Sequence, residues 1–174
     1  MSDFKSVLAA DLKSNTGGEG LKATIIGWLL SPGFATIALH RVAAHVRKRG
    51  HKRTADLLWR WNVSRSGCHF HLDSTIAPGL TLPHPTGIVI GAGAVVGQNV
   101  TLYQGVTLGR ALSAPNYPTL ESHVTIYPNT VVVGGITVGE SAIIGAQSLV
   151  SKDVPPRTVS GGAPSRVLRT FTPD

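Results

Sequence analysis

The chain has 174 residues, of which 42% are hydrophobic and only 14% charged, so it is not a disordered segment and can bury the core of one domain with a helical appendage. Its net charge is +7, and it holds one cysteine, Cys68, which excludes an intrachain disulfide and makes a reducing compartment the expectation. No charged segment leads into an apolar run at the amino terminus, so no signal peptide is expected, and the longest apolar stretch, Ala23 to Leu30, is far short of a membrane span.

The chain opens with helices. A short one is expected from Asp3 to Leu12, fading into Ser14-Asn15-Thr16-Gly17-Gly18. Residues 20–31 read as a second, apolar helix stopped by Ser31-Pro32-Gly33. Residues 34–49 form a third, with Leu39, Val42, Ala43 and Val46 as an apolar stripe at helical spacing and Gly50 as its C-cap. A fourth runs from Lys52 to Val63, and Ser66-Gly67 marks its exit. Arg47, Lys48, Arg49, Lys52 and Arg53 crowd one turn between helices. A solvated helix end is the plain reading and an anionic membrane surface the second. Nucleic acid is set aside, because no reading motif accompanies the charge.

A different period takes over after Gly67. Ile90, Val96, Leu102, Leu108, Leu120, Ile126, Val132, Val138, Ile144 and Val150 recur every sixth residue, and only position 114 misses. Gly follows the grid residue at 91, 97, 109, 139 and 145. Upstream, Ile76, Leu82 and Ile88 keep the step until a two-residue shift at Pro85-Thr86-Gly87 resets it. Six fits neither an amphipathic helix nor a half-buried strand. It marks a hexapeptide parallel β-helix, a mainly β fold whose repeats bury apolar surface only by stacking. The period gives no hand. The expected organisation is a helical region at 1–67, a β-helix at 68–154 with a loop at 109–119, and an irregular tail at 155–174.

The order His84-Pro85-Thr86-Gly87-Ile88-Val89-Ile90-Gly91, then Val106-Thr107-Leu108-Gly109, Ile144-Gly145-Ala146, Val154-Pro155-Pro156 and Gly162-Ala163-Pro164-Ser165-Arg166 resembles the serine acetyltransferases, members of the left-handed β-helix acyltransferases. Gly33-Phe34 and His40-Arg41 extend the likeness into the helices. The opening Ala10-Asp11-Leu12-Lys13-Ser14-Asn15 looks more like relatives from exopolysaccharide pathways. The resemblance implies a left-handed coil, a homotrimer with acetyl-CoA in a groove between neighbouring coils, and direct acetyl transfer to a hydroxyl without an acyl-enzyme or a metal.

Carried over residue by residue, the resemblance makes His84 the general base, a role suited to an imidazole that titrates near neutrality. The aspartate that orients this histidine in the family is replaced by Pro83, leaving Asp73, Asp11 or a backbone carbonyl as candidates. An Arg-His pair that holds the serine substrate becomes Asn116 and Tyr117. Arg110 could meet an acceptor carboxylate or a CoA phosphate, and His69 and His71 could touch the acceptor. Gly109, Gly145 and Ala146 are small enough for a pantetheine arm, and Lys152, Arg157 and Arg166 offer charge to nucleotide phosphates. Cys68-His69-Phe70-His71 lacks the further ligands of a zinc site.

Neutral hydrogen-bonding groups at 116 and 117 suit a polyhydroxylated acceptor. The expected function is therefore acetyl-CoA-dependent O-acetylation of a sugar or glycan, as in a surface polysaccharide precursor, with serine O-acetylation in cysteine biosynthesis as the alternative. A non-catalytic β-helix scaffold is the reading from another class. No nucleic-acid partner is expected. The cytoplasm, with peripheral contact of the basic helices to the inner membrane face, is the expected location.

Overall fold

The computed structural model describes residues 3–111 and 116–171. Four helices come first: α1 (Phe4–Thr16), α2 (Gly20–Leu30), α3 (Pro32–Lys48) and α4 (Lys52–Ser66). α1 runs four residues beyond its expected end and closes on Gly17 in the left-handed conformation. Ser31-Pro32-Gly33 both ends α2 and starts α3. The Ser31 hydroxyl accepts a hydrogen bond from the Phe34 amide, and Pro32 takes the first-turn place where a missing N–H costs nothing. Gly33 is required by close approach, since a Cβ there would stand 2.3 Å from the Leu82 carbonyl oxygen. α3 is thereby pressed onto the first coil of the β region, and α4 lies against α3. No single described helix is long and apolar enough to cross a membrane.

The remainder is a parallel β-solenoid of three faces. One face holds β1 (His69–Phe70), β3 (Val89–Ile90), β6 (Thr107–Gly109), β9 (Val131–Val133) and β12 (Leu149–Val150). The second holds β2 (Thr75–Ile76), β4 (Val95–Val96), β7 (Thr119–Leu120) and β10 (Thr137–Val138). The third holds β5 (Thr101–Leu102), β8 (Thr125–Ile126), β11 (Ile143–Ile144), β13 (Thr158–Gly161) and β14 (Arg166–Thr170). Every pairing is parallel except β13 with β14. The expected irregular tail is thus corrected: residues 158–170 form a hairpin that extends the third face and closes its edge with an antiparallel strand.

The grid residues point inward, as the period requires, but they do not fill the prism alone. The residue two places earlier also turns in, so Ala94, Val100, Val106, Val124 and Ala142 are as buried as their grid partners. Left-handed backbone in the coil falls on Asn99, His123, Asn129, Ser141 and Gln147 as well as on glycines such as Gly79 and Gly105. Gly97 serves close stacking instead, because a Cβ there would lie 2.6 Å from the backbone of Glu121 in the next coil.

The loop changes the face assignment. Leu108 pairs with Val132, and Val96 with Leu120, so the coil through the loop spans one extra hexapeptide. Position 114 lies outside the described residues.

Helix α1 closes the open end of the coil. Asp11 is fully buried, and its carboxylate accepts from the Gly79 and Leu80 amides at 2.8 and 3.2 Å. Asn15 accepts from the Leu82 amide and donates to the Leu80 carbonyl. Arg41 binds Asp11 at 2.8 Å and donates to the Ile76 and Ala77 carbonyls. The Ala10–Asn15 signature is therefore a cap on the first coil, where backbone groups would otherwise have no neighbour to pair with.

His40 sits beneath this junction, edge-on to Phe70 at 5.7 Å, with no partner for Nδ1 among the described residues. Burial, and then the Arg41 charge, lower its pKa to about 3. The unfolded chain gains a proton near pH 6.5 that the folded chain refuses. Stability is therefore full above that pH and falls as pH drops toward 3, by about 1.4 kcal/mol per unit. Urea midpoints between pH 7 and pH 5 should show this slope, and His40→Leu should flatten it.

Candidate active site

His84 occupies the corner between the third and first faces, just ahead of β3. Its side chain is exposed. Among the described residues no side-chain hydrogen bond holds the ring, and its neighbour is Tyr103, at 6.2 Å between centroids. Both carboxylates considered as its orienting partner are engaged elsewhere. Asp11 is committed to Arg41 and the coil amides. Asp73 lies 3.1 Å from Arg47 and 3.7 Å from His71.

The corner column above His84 is informative. Tyr103 and Tyr127 stack with planes 7° apart and centroids 5.1 Å apart, and Gly145-Ala146 follow one coil further on. His84, two aromatic rings and the small pair thus share one edge of the prism. The motifs of the sequence do not single out the tyrosines. The available signal is their place, directly after grid residues Leu102 and Ile126, where five other hexapeptides carry glycine.

The loop residues lie elsewhere. Gly109, Arg110, Asn116 and Tyr117 sit at the next corner, between the first and second faces, separated from His84 by the length of β3. Tyr117 lies over Gly91 and Gly93, so close that a Cβ on either glycine would meet its ring. Asn116 packs its Cβ toward Gly135 in the same way. One chain therefore does not bring Arg110, Asn116 and Tyr117 to His84. His69 begins β1, with its amide on the Ile88 carbonyl beside the His84 corner and Trp59 edge-on to its ring at 6.1 Å. His71 turns to the other corner and accepts from the Asp73 amide.

Of the three cations expected at the donor phosphates, two come together. Lys152 and Arg166 line a cavity of about 210 Å³ at the carboxyl-terminal end of the coil, with Ser160 and Ser165. The hydroxyls of both serines are buried without a partner among the described residues. Arg157 is not part of this lining; its amide donates to the Glu140 carbonyl. Cys68 points into the core, and burial raises its thiol pKa. Among the described residues no three His, Cys, Asp or Glu side chains converge as metal ligands would.

No protein-family model matches the chain. A putative serine acetyltransferase of Schizosaccharomyces pombe is 34% identical over 144 residues, covering 82% of this chain and 53% of the relative. The serine acetyltransferase of Brucella abortus in complex with coenzyme A superimposes with a TM-score of 0.87 at 30% identity, covering 97% of this chain and 69% of that one. The Neisseria gonorrhoeae serine acetyltransferase in complex with serine gives 0.85 at 30% identity, covering 95% and 69%. The chain spans about half the length of several curated relatives it matches.

These likenesses overturn the expectation of a sugar or glycan acceptor and of a polysaccharide pathway. The relatives and neighbours are serine acetyltransferases, and one neighbour holds serine itself. The sequence features behind that expectation have structural causes. Asp11 and Asn15 cap the coil, while Asn116 and Tyr117 cover corner glycines. The superpositions also supply the hand that the period left open, a left-handed coil. With this fold, this order of motifs and these relatives, the chain belongs to the serine acetyltransferase family of hexapeptide-repeat β-helix proteins.

Proposed function

We propose that the chain is a serine O-acetyltransferase, moving the acetyl group of acetyl-CoA to the serine hydroxyl in a step of cysteine biosynthesis. The observation that carries this is the likeness over nearly the whole chain to neighbours bound to coenzyme A and to serine. His84 takes the proton from the serine hydroxyl, whose oxygen attacks the thioester carbonyl. The tetrahedral adduct collapses, the C–S bond breaks, and His84 returns its proton to the departing CoA thiolate. A direct transfer needs no side-chain nucleophile.

Gly145 and Ala146 leave room along the His84 edge for the pantetheine arm, with Gly109 doing so at the next corner. Lys152 and Arg166, with the two free serine hydroxyls, fit the donor's phosphates; Arg157 adds charge at the same end. Arg110 supplies the charge for the serine carboxylate, and His69, His71, Asn116 and Tyr117 complete the acceptor side. Because His84 and the loop occupy different corners, the complete site forms between copies of the chain, and a homotrimer provides three such junctions. A lone cysteine fits a cytoplasmic setting.

Steady-state kinetics with both substrates test this reading. Serine should saturate the reaction, and Arg110→Gln should raise the KM for serine about tenfold while the KM for acetyl-CoA holds. A rise confined to acetyl-CoA would move Arg110 to the phosphates. Absence of serine turnover in the unaltered chain would contradict the function.

A further inference from the structure

Helix α2 buries almost nothing of itself. Ala23, Thr24 and Gly27 turn toward α1 and α3, and Gly27 alone is buried. At 3.6 residues per turn, Trp28, Leu21, Ile25 and Leu29 follow one another round the opposite side, and Ile26 and Leu30 extend the arc to roughly half the circumference. Leu21, Leu29 and Leu30 are 78%, 72% and 78% exposed. The only charge on the helix, Lys22, falls between Leu29 and Ile26 on this arc, so the uninterrupted apolar stripe is Trp28, Leu21, Ile25 and Leu29. A contiguous apolar face of this kind marks an interaction site rather than ordinary surface.

Charge identifies the occupant. Residues 1–67 carry eleven Lys and Arg against four Asp and Glu, whereas residues 68–174 carry five of each. The whole net charge of +7 therefore resides in the helical region, and the coil is neutral. α4 repeats the pattern on a smaller scale, with exposed Leu57 and Trp61 beside Arg53 and Arg60. A second copy laid on α2 would bring one strongly cationic region against another. An anionic lipid surface accepts both features: it attracts the region from a distance and takes up the apolar side chains on contact. A cavity of about 480 Å³, which shares Ile26 and Leu30 with the exposed face, offers further apolar contact.

We propose that the helical region docks the protein peripherally on anionic lipid membranes, with α2 lying in the interface through Leu21, Ile25, Trp28 and Leu29. This inference is independent of the acetyl acceptor. It places the enzyme at a membrane face while the coil remains in water.

Flotation of the purified full chain with vesicles tests it. The protein should float with phosphatidylcholine–phosphatidylglycerol vesicles and stay behind with phosphatidylcholine alone. Raising the salt to 1 M, where screening shortens to about 3 Å, should cut the bound fraction roughly tenfold. Ile25→Glu with Leu29→Glu should abolish flotation without altering solution mass or acetyl transfer to serine. Equal binding to neutral vesicles, or no flotation by the unaltered protein, would overturn the proposal. So would undiminished flotation of the double variant, or a smaller assembly in solution, which would assign α2 to contact between copies. Serine turnover measured on the same preparations keeps a failure here separate from a failure of the enzymatic reading.

Discussion

Replacing His84 by Ala should lower kcat for acetyl transfer by about a hundredfold or more, the usual contribution of a positioned general base. The ring is exposed and holds no side-chain hydrogen bond among the described residues, so thermal stability should stay within the range of neutral surface changes. Acetyl-CoA should still bind with near-normal affinity, because the donor contacts proposed here lie on other residues. That separation matters. A variant lacking both turnover and donor binding would indicate a collapsed site, whereas one with intact binding and lost turnover isolates the proton transfer. Turnover within tenfold of the unaltered chain would remove His84 from its role.

The second large effect concerns stability. Asp11→Ala would leave the Arg41 guanidinium, 11% exposed, without its carboxylate, and would strip the Gly79 and Leu80 amides of their acceptor. Removing one partner of a buried ion pair typically costs about 3–5 kcal/mol. Denaturant unfolding should show a loss of that order. Asp11→Asn should cost less, since its side-chain oxygen can still accept from the coil amides. A loss below about 1 kcal/mol for the alanine variant, the scale of an exposed pair, would mean that α1 does not cap the first coil.

Much of the coil is legible because one inward aliphatic residue per hexapeptide is a local, repeated demand. The face on which each strand lies is less so. The loop adds one whole hexapeptide, which leaves the grid in phase and hides the skipped corner. Counting by sixes would place Leu120 on the third face, yet it pairs with Val96 and Val138 on the second. The cap escapes for another reason: Asp11 and Asn15 meet partners 65 to 69 residues away, and no local pattern encodes them.

His84 stands out in the sequence by its flanking motif, and its exposed ring makes no side-chain hydrogen bond among the described residues. Asn116 and Tyr117 point to a polyhydroxylated acceptor only when their chemistry is taken apart from their place in the fold. Their side chains cover Gly135, Gly91 and Gly93, so the glycines and the loop fit one another. Lys152 and Arg166 share a cavity, but only the fold shows that Ser160 and Ser165 join them and that Arg157 does not.

Acetyl transfer to serine is the decisive observable. The purified chain, incubated with acetyl-CoA and L-serine and followed by NMR, should yield O-acetylserine and free CoA in equal amounts, at a rate that rises and saturates with serine. An intact thioester, or CoA released at a rate indifferent to serine, would contradict the function proposed for this fold.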